Sequence, residues 1–371
     1  MTKDTNNING DPDLLLIDRA SLELRRGRAI GLRGRAAGYV VAAAEMIQQS
    51  LLERLRATGS PISLVLTPQR AAALGREIGS APVAAVPVAE QWIAADLRAL
   101  AGTSITLPDL PRELRRPAAA EQAAMNTALG FMKSCRQLPS VLWVELDAGN
   151  DDSIVSLDME TIAAEAAFMS RNRLRRVSEA RVPLSEAVDS RIAVFRDEYT
   201  LSEHIAVVVG APDVDAAVPV RLHSACLTGD LLGSLRCDCG EQLRTAVARI
   251  AELGGGILLY LDQEGRGIGL PNKLRAYALQ DEGLDTLDAD QHLGFHADER
   301  SYRVAAIMLR DLGIERIELL TNNPQKIKAL QEYDIDVAGR RPLIAATTEH
   351  NERYLRAKRE RAGHLAEESG S

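Results

Sequence analysis

The sequence predicts a chain of mixed α/β class folded as two domains, on three observations. Its 371 residues suffice for two domains of ordinary size. The second half alternates apolar strand-like runs with amphipathic helical stretches, as in an α/β domain whose loops gather at the strand ends of a mixed sheet. The first half mixes helices and strands around a turn-rich interruption, an α+β pattern.

The elements follow in order. Residues 1–13, MTKDTNNINGDPD, read as a disordered leader. LLLIDRASLELRRGRAIGLRG predicts an amphipathic helix that stops at Gly27 and runs into a strand. YVVAAAEMIQQSLLERLRATG predicts a helix and PISLVLT a strand; PQRAAALGREIG predicts a helix with Pro68 near its start and Gly79 at its end. Residues 80–118 are richer in proline and turn formers. AAEQAAMNTALGFMKSCRQ then predicts a helix, SVLWVEL a strand, and the region around 157–172 a further helix. A basic stretch, RNRLRRVSEARVPL (171–184), separates the halves. Beyond it SRIAVFRD, EHIAVVVG, VPVRLHS, GILLYL and RIELLT predict strands. GEQLRTAVARIAELG, NKLRAYALQDEG, ERSYRVAAIMLRDLG and NPQKIKALQEYD predict the helices among them. The tail HNERYLRAKRERAGHLAEESGS reads as a charged helix that frays.

Composition excludes several classes. A net charge of −8 argues against a general nucleic-acid binder. No apolar run approaches the ~18–20 residues of a membrane span. The N-terminus has neither the basic start nor the apolar centre of a signal peptide, so the chain is expected in the cytoplasm. Lysine is scarce (Lys3, Lys133, Lys273, Lys326, Lys328 and Lys358), which makes a lysine inside a motif informative.

Three of the four cysteines lie in ACLTGDLLGSLRCDCGEQL, residues 225–243. In a reducing compartment, clustered thiols favour a metal or catalysis over a disulfide. Cys226, Cys237 and Cys239 suit Zn²⁺, which prefers sulfur and nitrogen ligands; the bland alternative is three small buried hydrophobes. Spacing leaves structural and catalytic zinc open, since His223 could close the site as a fourth ligand. Three thiolates give the centre a net negative charge, so a catalytic version needs a nearby base. Cys135, alone in an apolar helical pattern, reads as core.

Other motifs add anion sites. LYLDQEGRGIGLPNK places Gly265, Gly267 and Gly269 with Arg266 just past a strand, either a phosphate cradle or a plain strand-to-helix turn. In LLTNNPQKIK, Asn323 can cap a helix that begins at Pro324, which sets Thr321 and Lys326 beside a helix N-terminus. GFHADERSY puts Asp298 and Arg300 at a predicted helix start. A metal group with two anion sites points to hydrolysis of a phosphorylated substrate.

These motifs resemble GTP cyclohydrolase II, the first committed enzyme of riboflavin synthesis. RLHSACLTGDLLGSLRCDCGEQL, QEGRGIGLPNKLRAYALQDEGLDT, GFHADERSY and LLTNNPQKIKAL stand in the family's order, and the likeness spans about 177–365. The resemblance implies a three-layer mixed-sheet domain over 176–365, a disordered tail over 366–371, and a homodimer. It implies one Zn²⁺ per chain on Cys226, Cys237 and Cys239. The implied reaction opens the guanine imidazole ring of GTP with release of formate and pyrophosphate, Mg²⁺ accompanying the triphosphate. By motif position Asp298 corresponds to the proton acceptor, Arg300 to a nucleophile toward the α-phosphate, and Tyr277 to a tyrosine near the ring-opening site. GTP contacts carry over to Arg221, Leu222, His223, Ser224 and Ala225, then Gln242, Glu264, Gly265 and Arg266, and Thr286, Thr321 and Lys326. No nucleic-acid or membrane partner is implied.

Two departures stand out. Ala225 occupies the place of a glutamate usual in the family, and YLDQEGR replaces its common YHRQEGR. A non-catalytic GTP-binding homologue and a paralogous nucleotide hydrolase therefore remain alternatives. Residues 14–175 more weakly resemble 3,4-dihydroxy-2-butanone-4-phosphate synthase through IDRASLELRRGRAIGLRG, VVAAAEMI, SLVLTPQRAAALG and ALGFMKSCRQLPSVLWVEL. That family carries a run of acidic residues after its first strand to bind Mg²⁺. Here no carboxylate occurs between Glu23 and Glu45, and a hard cation needs oxygen ligands. A retained fold without synthase activity is expected.

Overall fold

The structure, a computed structural model, describes residues 12–34, 37–104, 106–111, 113–146, 153–162, 174–197, 200 and 202–343. Contacts divide the chain into two units: residues 1–170 with 271–298, and residues 171–270 with 299–371. The tail helix and nearly all of the leader fall outside the described residues.

In the first unit, α1 (Pro12–Arg25) ends two residues before Gly27, whose φ of +72° turns the chain toward β1 (Ile30–Arg33). Then come β2 (Gly38–Ala43), α2 (Gln49–Ala57), β3 (Ile62–Leu66) and α3 (Pro68–Ala73). β4 (Ala84–Pro87), α4 (Ala94–Arg98), α5 (Ala119–Ser134), β5 (Ser140–Glu145) and β6 (Ser156–Asp158) complete the half. The six-stranded sheet runs β4-β3-β5-β2-β1-β6, antiparallel except for the β1–β6 pair. All of β3 and all but the last residue of β5 are buried, as in a sheet covered on both faces.

Three predicted elements differ, the first being the helix expected to run from Pro68 to Gly79, which stops at Ala73. Residues 39–43, expected to open a helix, form β2, hydrogen-bonded to both β1 and β5. A short run of Tyr, Val and Ala satisfies helix and buried strand alike, and here two waiting partner strands decide it. In place of a helix start at 157, residues 156–158 pair in parallel with β1; helix begins at 159, and its expected continuation past 162 lies outside the described residues. Cys135 is buried, as expected of core.

Residues 271–298 also belong to this unit. They hold nearly all of a helix, Leu270–Asp281, and a second, Thr286–His292, capped by Asp285 through the Asp288 amide at 2.8 Å.

The second unit carries a seven-stranded sheet, β7 (Leu174–Arg181), β8 (Ser190–Asp197), β9 (Glu203–Val209), β10 (Val218–Ser224), β11 (Gly256–Leu261), β12 (Arg316–Leu320) and β13 (Asp336–Arg341). Their spatial order is β13-β12-β10-β11-β9-β8-β7. β13, β12, β10 and β11 are mutually parallel and the β11–β9–β8–β7 pairs antiparallel, which makes the sheet mixed. The basic stretch after 173 is thus an edge strand, polar along most of its length. Side chains alternate across the sheet. Val208, Ile257 and Leu259 pack with Met308 and Leu309 of α7 (Arg303–Asp311) and Leu330 of α8 (Pro324–Gln331). Val207, Val209 and Leu258 pack instead with Val247 and Ile250 of α6 (Cys239–Glu252). Helices on both faces make three layers.

Candidate metal and nucleotide site

The parallel strands of the second unit end at one edge, so the loops that leave them gather there. In parallel register His223 of β10 faces Tyr260 of β11 and Ser224 faces Leu261, while β12 ends at Leu320 beside β10. Residues 225–227, 262–267 and 321–326 therefore leave from neighbouring carboxyl ends, where open α/β sheets place ligands.

Cys226 follows β10, and Cys239 opens α6 two residues after Cys237. The three sulfurs lie within 4.8 Å of one another, and none is in a disulfide. Cys226 Sγ and Cys237 Sγ are 3.7 Å apart. Sulfurs at about 2.3 Å from a tetrahedral Zn²⁺ stand about 3.8 Å from each other, so the spacing fits that ion. The Cys237 and Cys239 thiols are both held above the ordinary thiol range, first by hydrogen bonding with Cys226. Crowded thiols keep their protons until a cation displaces them.

Gly229 is what lets the sulfurs meet. A Cβ there would stand 2.6 Å from Cys237 Sγ and 3.1 Å from Cys226 Sγ. Asp230 then ties the loop to the sheet. Its carboxylate accepts from the Cys226 amide at 2.9 Å, the Tyr260 hydroxyl at 3.0 Å and His223 Nε2 at 3.1 Å. The Asp230 amide in turn donates to the Cys226 carbonyl at 2.7 Å. His223 spends Nε2 on Asp230, and burial lowers its pKa, which favours a neutral ring. Glu264, in the turn that follows β11, braces the same loop by accepting from the Leu227 amide at 2.6 Å.

The glycine loop after β11 is tightly wound. Gly265, Arg266 and Gly267 all have positive φ, at 64°, 61° and 96°. For Arg266 that conformation is strained, of the kind found where a side chain must be aimed. A Cβ on Gly267 would stand 2.8 Å from the Glu299 carbonyl, and the Glu299 amide donates to the Arg266 carbonyl at 3.1 Å. Residues 298–300 lie outside any helix, so Arg300 is not at a helix start; α7 begins at Arg303. Arg300 reaches Ser224 Oγ at 3.5 Å and lies over the Tyr302 ring at 5.5 Å.

Arg221 is buried beneath the site and donates to the Leu320 carbonyl at 2.9 Å and to Gln242 Oε1 at 2.7 Å; burial pulls its pKa down to about 10. Leu222 gives the site its main chain only: its side chain is core and its carbonyl accepts from Lys326 Nζ at 2.9 Å. Asn323 caps α8 as expected, accepting from the Gln325 amide at 2.9 Å, and Thr321 Oγ1 accepts from the Asn323 amide at 3.0 Å. Ala225 presents a methyl group beside Cys226, its amide bound to the Leu261 carbonyl at 2.8 Å.

The second unit thus gathers the three cysteines, residues 221–225, Gln242, Glu264, Gly265, Arg266, Arg300, Thr321 and Lys326 at one strand edge. Tyr277, Thr286 and Asp298 belong to the first unit, on segment 271–298. The side chain of Thr286 lies outside what the structure describes. Sequence reasoning missed Gly229, Asp230 and Tyr260; the available signal was a Gly-Asp pair between the clustered cysteines, which reads equally as a turn.

Residues 175–342 match the sequence model of the GTP cyclohydrolase II family. A GTP cyclohydrolase-2 of Azospirillum brasilense is 42% identical over 94% of this chain and 93% of its own. The riboflavin biosynthesis protein RibBA of Bacillus mycoides is 54% identical over 46% of this chain and 43% of its own. A GTP cyclohydrolase-2 of Shewanella amazonensis is 53% identical over 47% of this chain and 85% of its own.

Proposed function

The chain belongs to the GTP cyclohydrolase II family, and on that premise we propose that it hydrolyses GTP as the entry step of riboflavin biosynthesis. The products are formate, pyrophosphate and 2,5-diamino-6-ribosylamino-4(3H)-pyrimidinone 5′-phosphate. The observation that carries the reading is the three-sulfur group at the edge where β10, β11 and β12 end. Cys226, Cys237 and Cys239 would hold one Zn²⁺ per chain, which supplies Lewis-acid activation of water.

The chain's own residues do the rest. Lys326 and the strained Arg266 offer positive charge to the triphosphate, whose remaining charge Mg²⁺ shares. Residues 221–225, Gln242, Glu264, Gly265, Thr286 and Thr321 bind and orient the nucleotide. Asp298 accepts the proton that hydrolysis at the ring releases, and Tyr277 stands by the ring. Arg300 acts at the α-phosphate; as a nucleophile it would need its guanidinium activated, since arginine ordinarily stays protonated to a pKa above about 12. The first half keeps its fold without synthase activity, for want of carboxylates to hold Mg²⁺. The enzyme works in the cytoplasm as a homodimer, on a small-molecule substrate and without nucleic acid or membrane.

Mass spectrometry of the products after incubation with GTP and Mg²⁺ tests this. Formate and the pyrimidine product are expected, and Cys237→Ser should abolish both together with bound zinc. GTP binding without turnover would move the chain to the regulatory alternative; preferred turnover of another nucleotide would move it to a paralogous hydrolase.

A further inference from the structure

The first half has lost the acidic residues of the family it weakly resembles, yet it keeps a set of polar contacts, buried or part-buried except for one exposed pair, with one purpose in common. All of them lie inside the first unit, and through them Glu45, Thr67, Gln69, Arg70 and Arg136 each reach segment 271–298. Glu45, 8% exposed, accepts from the Leu138 amide at 2.9 Å and pairs with Arg275 at 2.7 Å. Arg70, 1% exposed, donates to the carbonyls of Leu100 at 2.8 Å, Ala99 at 3.1 Å and His292 at 2.7 Å. His292 ends a helix, where unpaired carbonyls favour a cation.

Thr67 Oγ1 donates to the Gly294 carbonyl at 2.9 Å, and Gln69 Nε2 meets His296 Nδ1 at 3.0 Å. Gly294 has φ +93°, and a Cβ there would stand 2.9 Å from Thr67 Oγ1, so the approach admits glycine alone. Asn272, fully buried, donates to the Arg136 carbonyl at 3.2 Å. The gripped positions are thus 272, 275, 292, 294 and 296. They bracket Tyr277 and Thr286 and stop two residues short of Asp298.

We infer that the first half is a clamp: Glu45, Thr67, Gln69 and Arg70 are positioning residues that fix the segment bearing Tyr277, Thr286 and Asp298. The inference rests on the reading of those three as part of the GTP site. Several features favour a clamp over ordinary packing. Among the described residues the buried Arg70 guanidinium meets only main-chain carbonyls, which is costly to desolvate, and a plain apolar contact would hold a helix without it. The grip comes from VVAAAEMI and SLVLTPQRAAALG, two of the stretches that resemble the synthase. The Shewanella amazonensis relative carries the same family name although 174 matched residues make up 85% of it, too short for both halves. In the present chain the first half is what reaches this segment.

A displacement of about 1 Å at a reacting group can cost about 100-fold in rate, so the clamp is read through kcat. In the full-length protein, Glu45→Gln and the milder, surface-lying Gln69→Leu are compared with wild type. The measurements are kcat and KM for GTP, zinc per chain, and amide hydrogen exchange over 225–243 and 271–298. The expected result is a kcat at least tenfold lower at unchanged zinc content, with faster exchange confined to 271–298. Glu45→Asp, which keeps the charge, should recover part of the loss. Exchange that stays at wild-type rates in both variants overturns the clamp, as does faster exchange with kcat unaltered. If wild type itself fails to turn over GTP, the functional reading falls, and the exchange data alone decide whether these residues hold the segment.

Discussion

Gly229 and His292 show how much single residues decide. With a Cβ at 229 placed 2.6 Å from Cys237 Sγ, Gly229→Ala must open the sulfur group. Zinc per chain should fall below half of wild type, and GTP turnover should drop at least tenfold; metal analysis that finds full occupancy would refute this. His292 bears on pH. Burial, then the charge of Arg70, lower its pKa from 6.5 to about 4. The unfolded chain therefore takes up this proton first as pH falls. Its contribution to stability is full above about 6.5 and is lost on descent toward about 4. Urea midpoints at pH 4.5 and 7.5 should differ less in His292→Gln than in wild type; an equal difference in both would show that His292 does not titrate this way. At this scale the cysteines were plain in the sequence because cysteine is rare in it. Gly229 and Asp230 were not, since their roles depend on where sulfurs up to thirteen residues apart converge in space.

Helices and strands differ in how plainly the sequence marks them, and the physics of each explains why. SRIAVFRD, VPVRLHS and GILLYL form strands where expected because long apolar or alternating runs suit a sheet packed on both faces. β7 and β13 escaped notice: edge strands with polar side chains carry little periodic signal, and their pairing is set by neighbours distant in sequence. The capped start of α8 was legible from Asn-Pro alone. Asn323→Ala removes that cap and should cost about 1 kcal/mol, measured by urea unfolding. Because α8 brings Lys326 to the Leu222 carbonyl, KM for GTP should rise as well; a KM at the wild-type value would separate the cap from nucleotide binding.

For the whole molecule, the division into units was the least legible feature. NKLRAYALQD reads as a helix wherever it packs, and no local pattern announces that residues 271–298 join the first unit. That membership leads to a further prediction. Residues 171–371 expressed alone would bare Ala276, Leu279, Leu293 and Phe295, all buried in the full chain. Such a fragment should aggregate and turn over GTP at least tenfold more slowly than the intact protein, as judged by gel filtration and product analysis. A soluble fragment at full rate would contradict it. The same membership constrains how the gene can be rearranged. A break near codon 170 looks like a seam between two modules, yet it parts Glu45, Thr67 and Arg70 from the partners they grip. An exchange of either half between distant relatives would therefore bring together only one side of each of these contacts.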